Sequence, residues 1–137
     1  MKNLLLLTVA FLFSLSLSAQ KIEFEFSEIN YGEIEKGAES LRTFKFKNTG
    51  DAPLIISDVK RSCGCTTPKF TNTPVMPGET GEIQVSYDTQ RMGYFHKTLT
   101  VSSNAKDNET ATLQIKGTVV EKPATPVKEE NIFQGNK

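Results

Sequence analysis

Cys63-Gly64-Cys65 is the one constellation in the sequence whose residue types and spacing carry chemistry. Two thiols with one residue between them admit three uses. The first is a local disulfide, for which Gly64 tolerates the bent backbone that so short a bridge needs. Closing a three-residue loop gains only about 1.6 kcal/mol of chain entropy before strain is subtracted, so the bridge is a poor staple and a reducible one. The second is a soft-metal site, because thiolates and thioethers select Cu(I), and Met76, Met92 and His96 are the further ligands on offer. The third is a redox pair, with Lys60, Arg61 and Lys69 near enough in sequence to favour a thiolate. No C-x-x-C and no βαβ pattern accompany the pair, which speaks against thioredoxin-like chemistry. Two cysteines are also too few for a structural zinc site of the usual four ligands.

Other chemistry is thin. His96 is the single histidine, and its alternation with Phe95 and Lys97 turns it towards solvent. Asp88 offers it a carboxylate partner, but no nucleophile in a G-x-S-x-G context exists to be activated. There is no P-loop, no G-x-G-x-x-G and no H-E-x-x-H. Asp51 and Asp58 form no calcium loop. Asn108-Glu109-Thr110 is a glycosylation sequon by pattern alone. The expectation is a protein that is not an enzyme and holds no cofactor.

The elements that would position the cysteines read as strands. Ile22, Phe24 and Phe26 alternate with Glu23 and Glu25, and Phe44 and Phe46 alternate with Lys45 and Lys47. Leu54-Ile55-Ile56 follows Pro53. Ile83, Val85 and Tyr87 share one face, as do Phe95, Leu99 and Val101 with the stem of Lys97, and Leu113, Ile115 and Val119. Phe24, Phe26, Phe44, Phe46 and Phe95 are expected in the core, and Phe70 outside it. Turn chemistry separates the runs: Asn48-Thr49-Gly50-Asp51 offers positive φ at Asn48 or Gly50, and Pro77-Gly78 is a type II centre. No ten-residue stretch carries a helical stripe. The pattern predicts an all-β, immunoglobulin-like antiparallel β-sandwich of about seven strands.

Composition agrees with one globular domain. The chain has 137 residues, 37% hydrophobic and 23% charged, with 16 basic and 16 acidic residues. That balance excludes a dedicated nucleic-acid binder, which needs a basic excess. Residues 1–19 read as a secretory signal peptide: Lys2, then an apolar run from Leu4, then small residues that permit cleavage after Ser18 or Ala19. No cysteine lies there to carry a lipid anchor, and the run is short for a membrane span. The domain is expected over 20–120, and 121–137, with Pro123 and Pro126 among mixed charges, as a disordered tail. No repeat is present. An exported protein, periplasmic or extracellular, meets oxidising conditions.

Several residues together resemble a family of bacterial secreted proteins known as the domain of unknown function number 1573. They are Phe44, Phe46, Asn48, Gly50, Asp51, Pro53, Leu54 and Ile56; then Ser62-Cys63-Gly64-Cys65-Thr66, Pro68 and Pro77-Gly78; then Gly81, Ile83, Val85, Tyr87-Asp88-Thr89, Gly93, Phe95 and Lys97; and last Val101, Ser103-Asn104 and Ile115-Lys116-Gly117. The family is similar to the wider immunoglobulin-like group that includes chaperone and Hydin-type domains. The resemblance implies a sandwich of that kind and implies no activity, since fold alone licenses none.

The resulting expectation is an exported, non-enzymatic binding or scaffolding module with a protein or cell-envelope partner, docking on a sheet edge or on loops at one end of the sandwich. Ser62, Cys63, Gly64, Cys65, Thr66 and Phe70 are the candidate partner surface. Cys63 and Cys65 are the disulfide candidates. The alternative is a periplasmic Cu(I)-binding or thiol-redox protein built on Cys63 and Cys65. The mature chain is expected to have no membrane span.

Overall fold

The computed structural model describes residues 19–124. Residues 1–18 of the signal peptide expected over 1–19, and the expected tail from residue 125 onwards, lie outside the described residues. Residues 121–124 follow the last strand without regular structure.

Eight strands form: β1 (Ile22–Phe24), β2 (Glu28–Glu35), β3 (Arg42–Asn48), β4 (Ile56–Arg61), β5 (Thr66–Phe70), β6 (Thr80–Tyr87), β7 (Gly93–Ser103) and β8 (Thr110–Val120). They make two four-stranded sheets, ordered β1-β3-β6-β5 and β2-β8-β7-β4. Each alternating run in the sequence puts its apolar set on the face turned to the other sheet, and this drives the layering. Phe44, Ile83, Leu99, Leu113 and Ile115 are wholly buried between the sheets. Burying each such side chain stabilises the fold by about 1.5–3 kcal/mol relative to exposure.

The sandwich is antiparallel with one difference: β2 pairs with β8 in parallel. The chain leaves β1 in one sheet, crosses to the other and runs beside the last strand, so its direction is set by the crossing rather than by a hairpin. The β2–β8 register shifts between Asn30 and Glu33. Gly32 sits at that bulge with φ of 63°, a backbone that side-chained residues rarely adopt. The remaining ladders are antiparallel.

Some local expectations change. Gly78 takes positive φ, as the Pro77-Gly78 turn requires, but neither Asn48 nor Gly50 does. Asn48 works through its buried side chain instead. Its amide donates to the Ala52 and Val75 carbonyls at 2.8 and 2.9 Å and its oxygen accepts from the Gly50 N–H. Phe26, expected in the core, is 60% exposed, because the chain turns from one sheet to the other just after β1 and leaves its ring behind. Phe70, expected outside, is half-buried against the core, since it lies in β5 level with Ile83.

The registers gather the connections at two ends. One end carries connections 36–41, 62–65 and 88–92, and is called here the cysteine end. The other carries 49–55, 71–79 and 104–109, while 25–27 crosses between the sheets part-way along, with Glu25 bonded to Lys45 and Ser27 to Gln114.

Candidate functional site

β4 closes one sheet and β5 opens the edge of the other, so the turn between them carries the chain across the sandwich. Cys63 and Cys65 lie in this turn and are bonded to each other, with their Cα atoms 5.3 Å apart. Cys65 is 4% exposed and belongs to the core, whereas Cys63 is half-buried at its margin. The turn is tied on every side. Ser62 donates its N–H to the Thr98 carbonyl at 3.0 Å, and its hydroxyl accepts the Thr98 N–H at 3.1 Å. The Cys65 N–H points at Cys63 Sγ at 3.2 Å, and the Thr66 hydroxyl donates to the Cys63 carbonyl at 3.3 Å. The Asp88 N–H donates to the Cys65 carbonyl at 2.8 Å, which ties this turn to the β6–β7 connection.

Gly64 needs no special backbone here. Its φ lies outside the positive region, and a methyl group built on it meets nothing within 4 Å. The bent-backbone role expected from the sequence is absent, and the space over Gly64 is open.

The other two connections at this end join the same network. Gly37 donates to the Thr89 carbonyl at 3.3 Å, and the Thr89 hydroxyl donates to the Ala38 carbonyl at 3.0 Å. Ser40 bridges the sheets: its hydroxyl donates to the Tyr87 carbonyl at 2.6 Å and accepts the Tyr87 N–H at 3.0 Å. The Tyr31 hydroxyl reaches the Ser40 carbonyl at 2.7 Å. Burial pushes the Tyr31 phenol up to about 12, against the opposing pull of Arg42, whose guanidinium lies 4.6 Å from the ring centroid. Burial also raises the Tyr87 phenol, whose ring stacks on Phe95 at 3.8 Å. Loops alone are soft, but these three are hydrogen-bonded into one platform.

That platform exposes Leu41 at 43% and Met92 at 46%, and Tyr94, on the outer face of β7 just beyond it, is 70% exposed. Nothing in the alternation singled out these three residues, because their exposure depends on which elements meet. The opposite end exposes Ile55 and Met76, but the incoming chain packs across it. Asp51 donates to the Ala19 carbonyl and Lys106 to the Gln20 carbonyl, at 3.1 and 2.8 Å.

The remaining candidates are scattered. Phe70 is at the far end of β5 from the cysteine turn, about 13 Å along the strand at the usual rise, so the two do not form one patch. Met76 lies at the opposite end, and Met92 at the cysteine end. His96 is exposed on the outer face of β7 and pairs with Gln114 at 2.9 Å. Asp88 serves the β6–β7 turn, accepting the Gln90 N–H and the Arg91 side chain at 3.1 and 3.3 Å, and does not partner His96. Among the described residues no three His, Cys, Asp or Glu side chains cluster to hold a metal ion. A trough of about 940 Å³ runs across β1, β3 and the start of β6, with Glu23, Glu25, Lys45, Lys47 and Glu82 on its walls and no serine, cysteine or histidine among its lining residues. No helix among the described residues is long and apolar enough to cross a membrane.

The sheet edges are closed to an added strand. β1 has only 3 residues. β2 and β4 are each broken by a register shift, between Asn30 and Glu33 and between Ile56 and Asp58. In β5 the Asp88 bond to Cys65 fixes which residues face β6, and Thr66, Pro68 and Phe70 alternate outward. Arg61 Nη1 occupies the outward Thr66 carbonyl at 3.0 Å, and Pro68 has no N–H to offer.

Two sheets in these orders, with the first long strand parallel to the last, define an immunoglobulin-like β-sandwich of the PapD-like kind. The ASH/PapD-like domain 7 of human CEP192 superposes with a TM-score of 0.63 at 11% identity, over 76% of this chain and 88% of that one. The chain belongs to the family described as "Protein of unknown function (DUF1573)", whose model matches residues 22–119. A protein of unknown function from Porphyromonas gingivalis W83 is similar, with a TM-score of 0.67 and 16% identity over 74% of this chain; the match spans 47% of that protein. The Vibrio cholerae VesB protease matches at a TM-score of 0.59 and 15% identity over 73% of this chain, but over only 32% of its own length. At such identities these likenesses are likenesses of fold. No curated protein matches the chain.

Proposed function

We propose that the chain is an exported, non-enzymatic binding module that docks a protein partner of the cell envelope through its cysteine end. The observation that carries this reading is the contrast between edges and end. Each sheet edge carries a feature that hinders strand addition, while the cross-linked connections at the cysteine end expose Leu41 and Met92, with Tyr94 exposed on the outer face of β7 two residues further on. Exposed apolar groups on a rigid, polar-rimmed surface are what a protein interface uses for its anchors. This replaces edge docking, one of the two modes expected from the sequence, with loop docking.

The test is a triple substitution, Leu41→Ser, Met92→Ser and Tyr94→Ser, in the full chain expressed in its source cell. The reading expects loss of a specific co-purifying envelope protein with an unchanged thermal midpoint. Retention of that protein contradicts it. Export is tested separately by fractionation: the reading expects a periplasmic or external protein lacking residues 1–18 or 1–19. A full-length protein in the cytoplasm contradicts it.

A further inference from the structure

We propose that Cys63 and Cys65 also form a disulfide-exchange site that passes oxidising equivalents to a protein dithiol, with Cys63 the exchanging sulfur and Cys65 the buried partner that leaves when the ring opens. This goes beyond the docking role and does not depend on it.

Four observations point the same way. The two sulfurs are unequal: Cys63 is half-buried at the core margin, and Cys65 is 4% exposed. An incoming thiolate therefore has one sulfur to attack. The neighbouring Gly64 adds no side chain to shield it: a methyl group built there meets nothing within 4 Å, so the space over Gly64 is open.

The environment favours negative charge on Cys63. The Cys65 N–H is directed at its sulfur at 3.2 Å, and a hydrogen bond to a thiolate stabilises the charged form. Beyond Arg61 the Ser62 N–H still donates to the Thr98 carbonyl, which carries the β4–β7 register one residue further and puts Cys63 level with Lys97. Lys97 is half-buried between Phe95 and Leu99 on the inward side of β7, and it brings a positive charge to that level. Finally, a ring with one intervening residue gains least from loop closure, and a pair so weakly held is poised for exchange rather than for stapling.

The chemistry balances without an outside reagent. A thiolate of the partner dithiol attacks Cys63 Sγ. A bond forms between the two sulfurs, the Cys63–Cys65 bond breaks, and its electron pair leaves on Cys65 Sγ. The partner's second thiolate then attacks the partner sulfur of the mixed disulfide. The partner disulfide forms, and the electron pair leaves on Cys63 Sγ, where the N–H and Lys97 receive it. The partner has lost two electrons and two protons, and the cysteine pair has gained them.

The test uses the oxidised full chain and a synthetic peptide carrying two reduced cysteines, quenched by alkylation and read by intact mass. The expected result is an oxidised peptide and a doubly alkylated protein whose circular dichroism is still native. A pair that opens only when denaturant is added overturns the proposal. In single variants, glutathione disulfide should modify Cys63 in Cys65→Ser at least tenfold faster than it modifies Cys65 in Cys63→Ser. Equal or reversed rates overturn the assignment. Should either variant fail to fold, limiting glutathione disulfide on the reduced wild type locates the first adduct by peptide mapping: Cys63 supports the proposal, and Cys65 overturns it.

Discussion

Ser62 and Thr98 hold each other twice, once through the Ser62 N–H and the Thr98 carbonyl and once through the Thr98 N–H and the Ser62 hydroxyl. The second bond is the informative one. The ladder still reaches Thr98 through the Ser62 N–H, but the Thr98 N–H is met by the Ser62 hydroxyl, a side chain standing in where β4 has ended at Arg61. The cysteine turn is thereby fixed to β7 before the chain crosses to the other sheet.

Ser62→Ala removes the side-chain acceptor and keeps the backbone bond. Loss of about 1 kcal/mol of stability is expected, with the native fold retained. Chemical denaturation checks it through a lower midpoint at unchanged slope. No change in midpoint means that water replaces the hydroxyl and the turn is not held as described.

Tyr31 makes stability depend on alkaline pH. Its phenol titrates near 12 in the folded protein because burial disfavours the phenolate, and near 10 once unfolded. The raised folded value means that this contribution is fully present below pH 10 and is lost as pH rises through 12, a span of about 2–3 kcal/mol. Thermal unfolding between pH 9 and pH 12 measures it. Tyr31→Phe should flatten part of that slope, and an unchanged slope in the variant refutes the assignment to Tyr31.

Pro68 is expected to guard the β5 edge. Pro68→Thr restores an outward N–H between Thr66 and Phe70 and makes the strand a better template. Sedimentation should show concentration-dependent association in the variant that the parent lacks. A variant that stays as dispersed as the parent shows that Arg61 and the strand's shortness suffice.

The cysteines contribute modestly to the fold. Cys63→Ala with Cys65→Ala should cost about 2 kcal/mol or less, given the minimal loop they close, and should leave near-ultraviolet dichroism in place. Unfolding of the double variant at ambient temperature would mean that the bridge is a staple after all.

Much of the architecture was legible because a half-buried strand writes its pleat into the sequence. Phe44 and Phe46, Ile83 and Val85, and Leu113 and Ile115 all lie on inward faces as their alternation implied. β2 was not legible, because the bulge at Gly32 resets the alternation and puts Tyr31 and Ile34 inside at a spacing of three. β5 was hidden by Pro68, a residue that argues against strands in general but is at home on an edge. Asn48 read as a turn residue because its burial depends on Val75, a residue distant in the chain. At the site, the unusual cysteine spacing was visible locally. Leu41, Met92 and Tyr94 were not, since two connections and the start of β7 had to be placed before their exposure meant anything.

The most direct test of the docking account is site-specific photo-crosslinking in intact cells. The crosslinker is placed at Gly64 and Met92 on the cysteine end, at Ile55 on the opposite end and at Lys69 on the β5 edge. Gly64 accepts a side chain without a clash, and Met92, Ile55 and Lys69 are exposed, so the fold should survive each change. The account predicts one shared crosslinked protein from Gly64 and Met92 and none from Ile55 or Lys69. A crosslink to the same partner from Ile55 or Lys69, with none from the cysteine end, contradicts it.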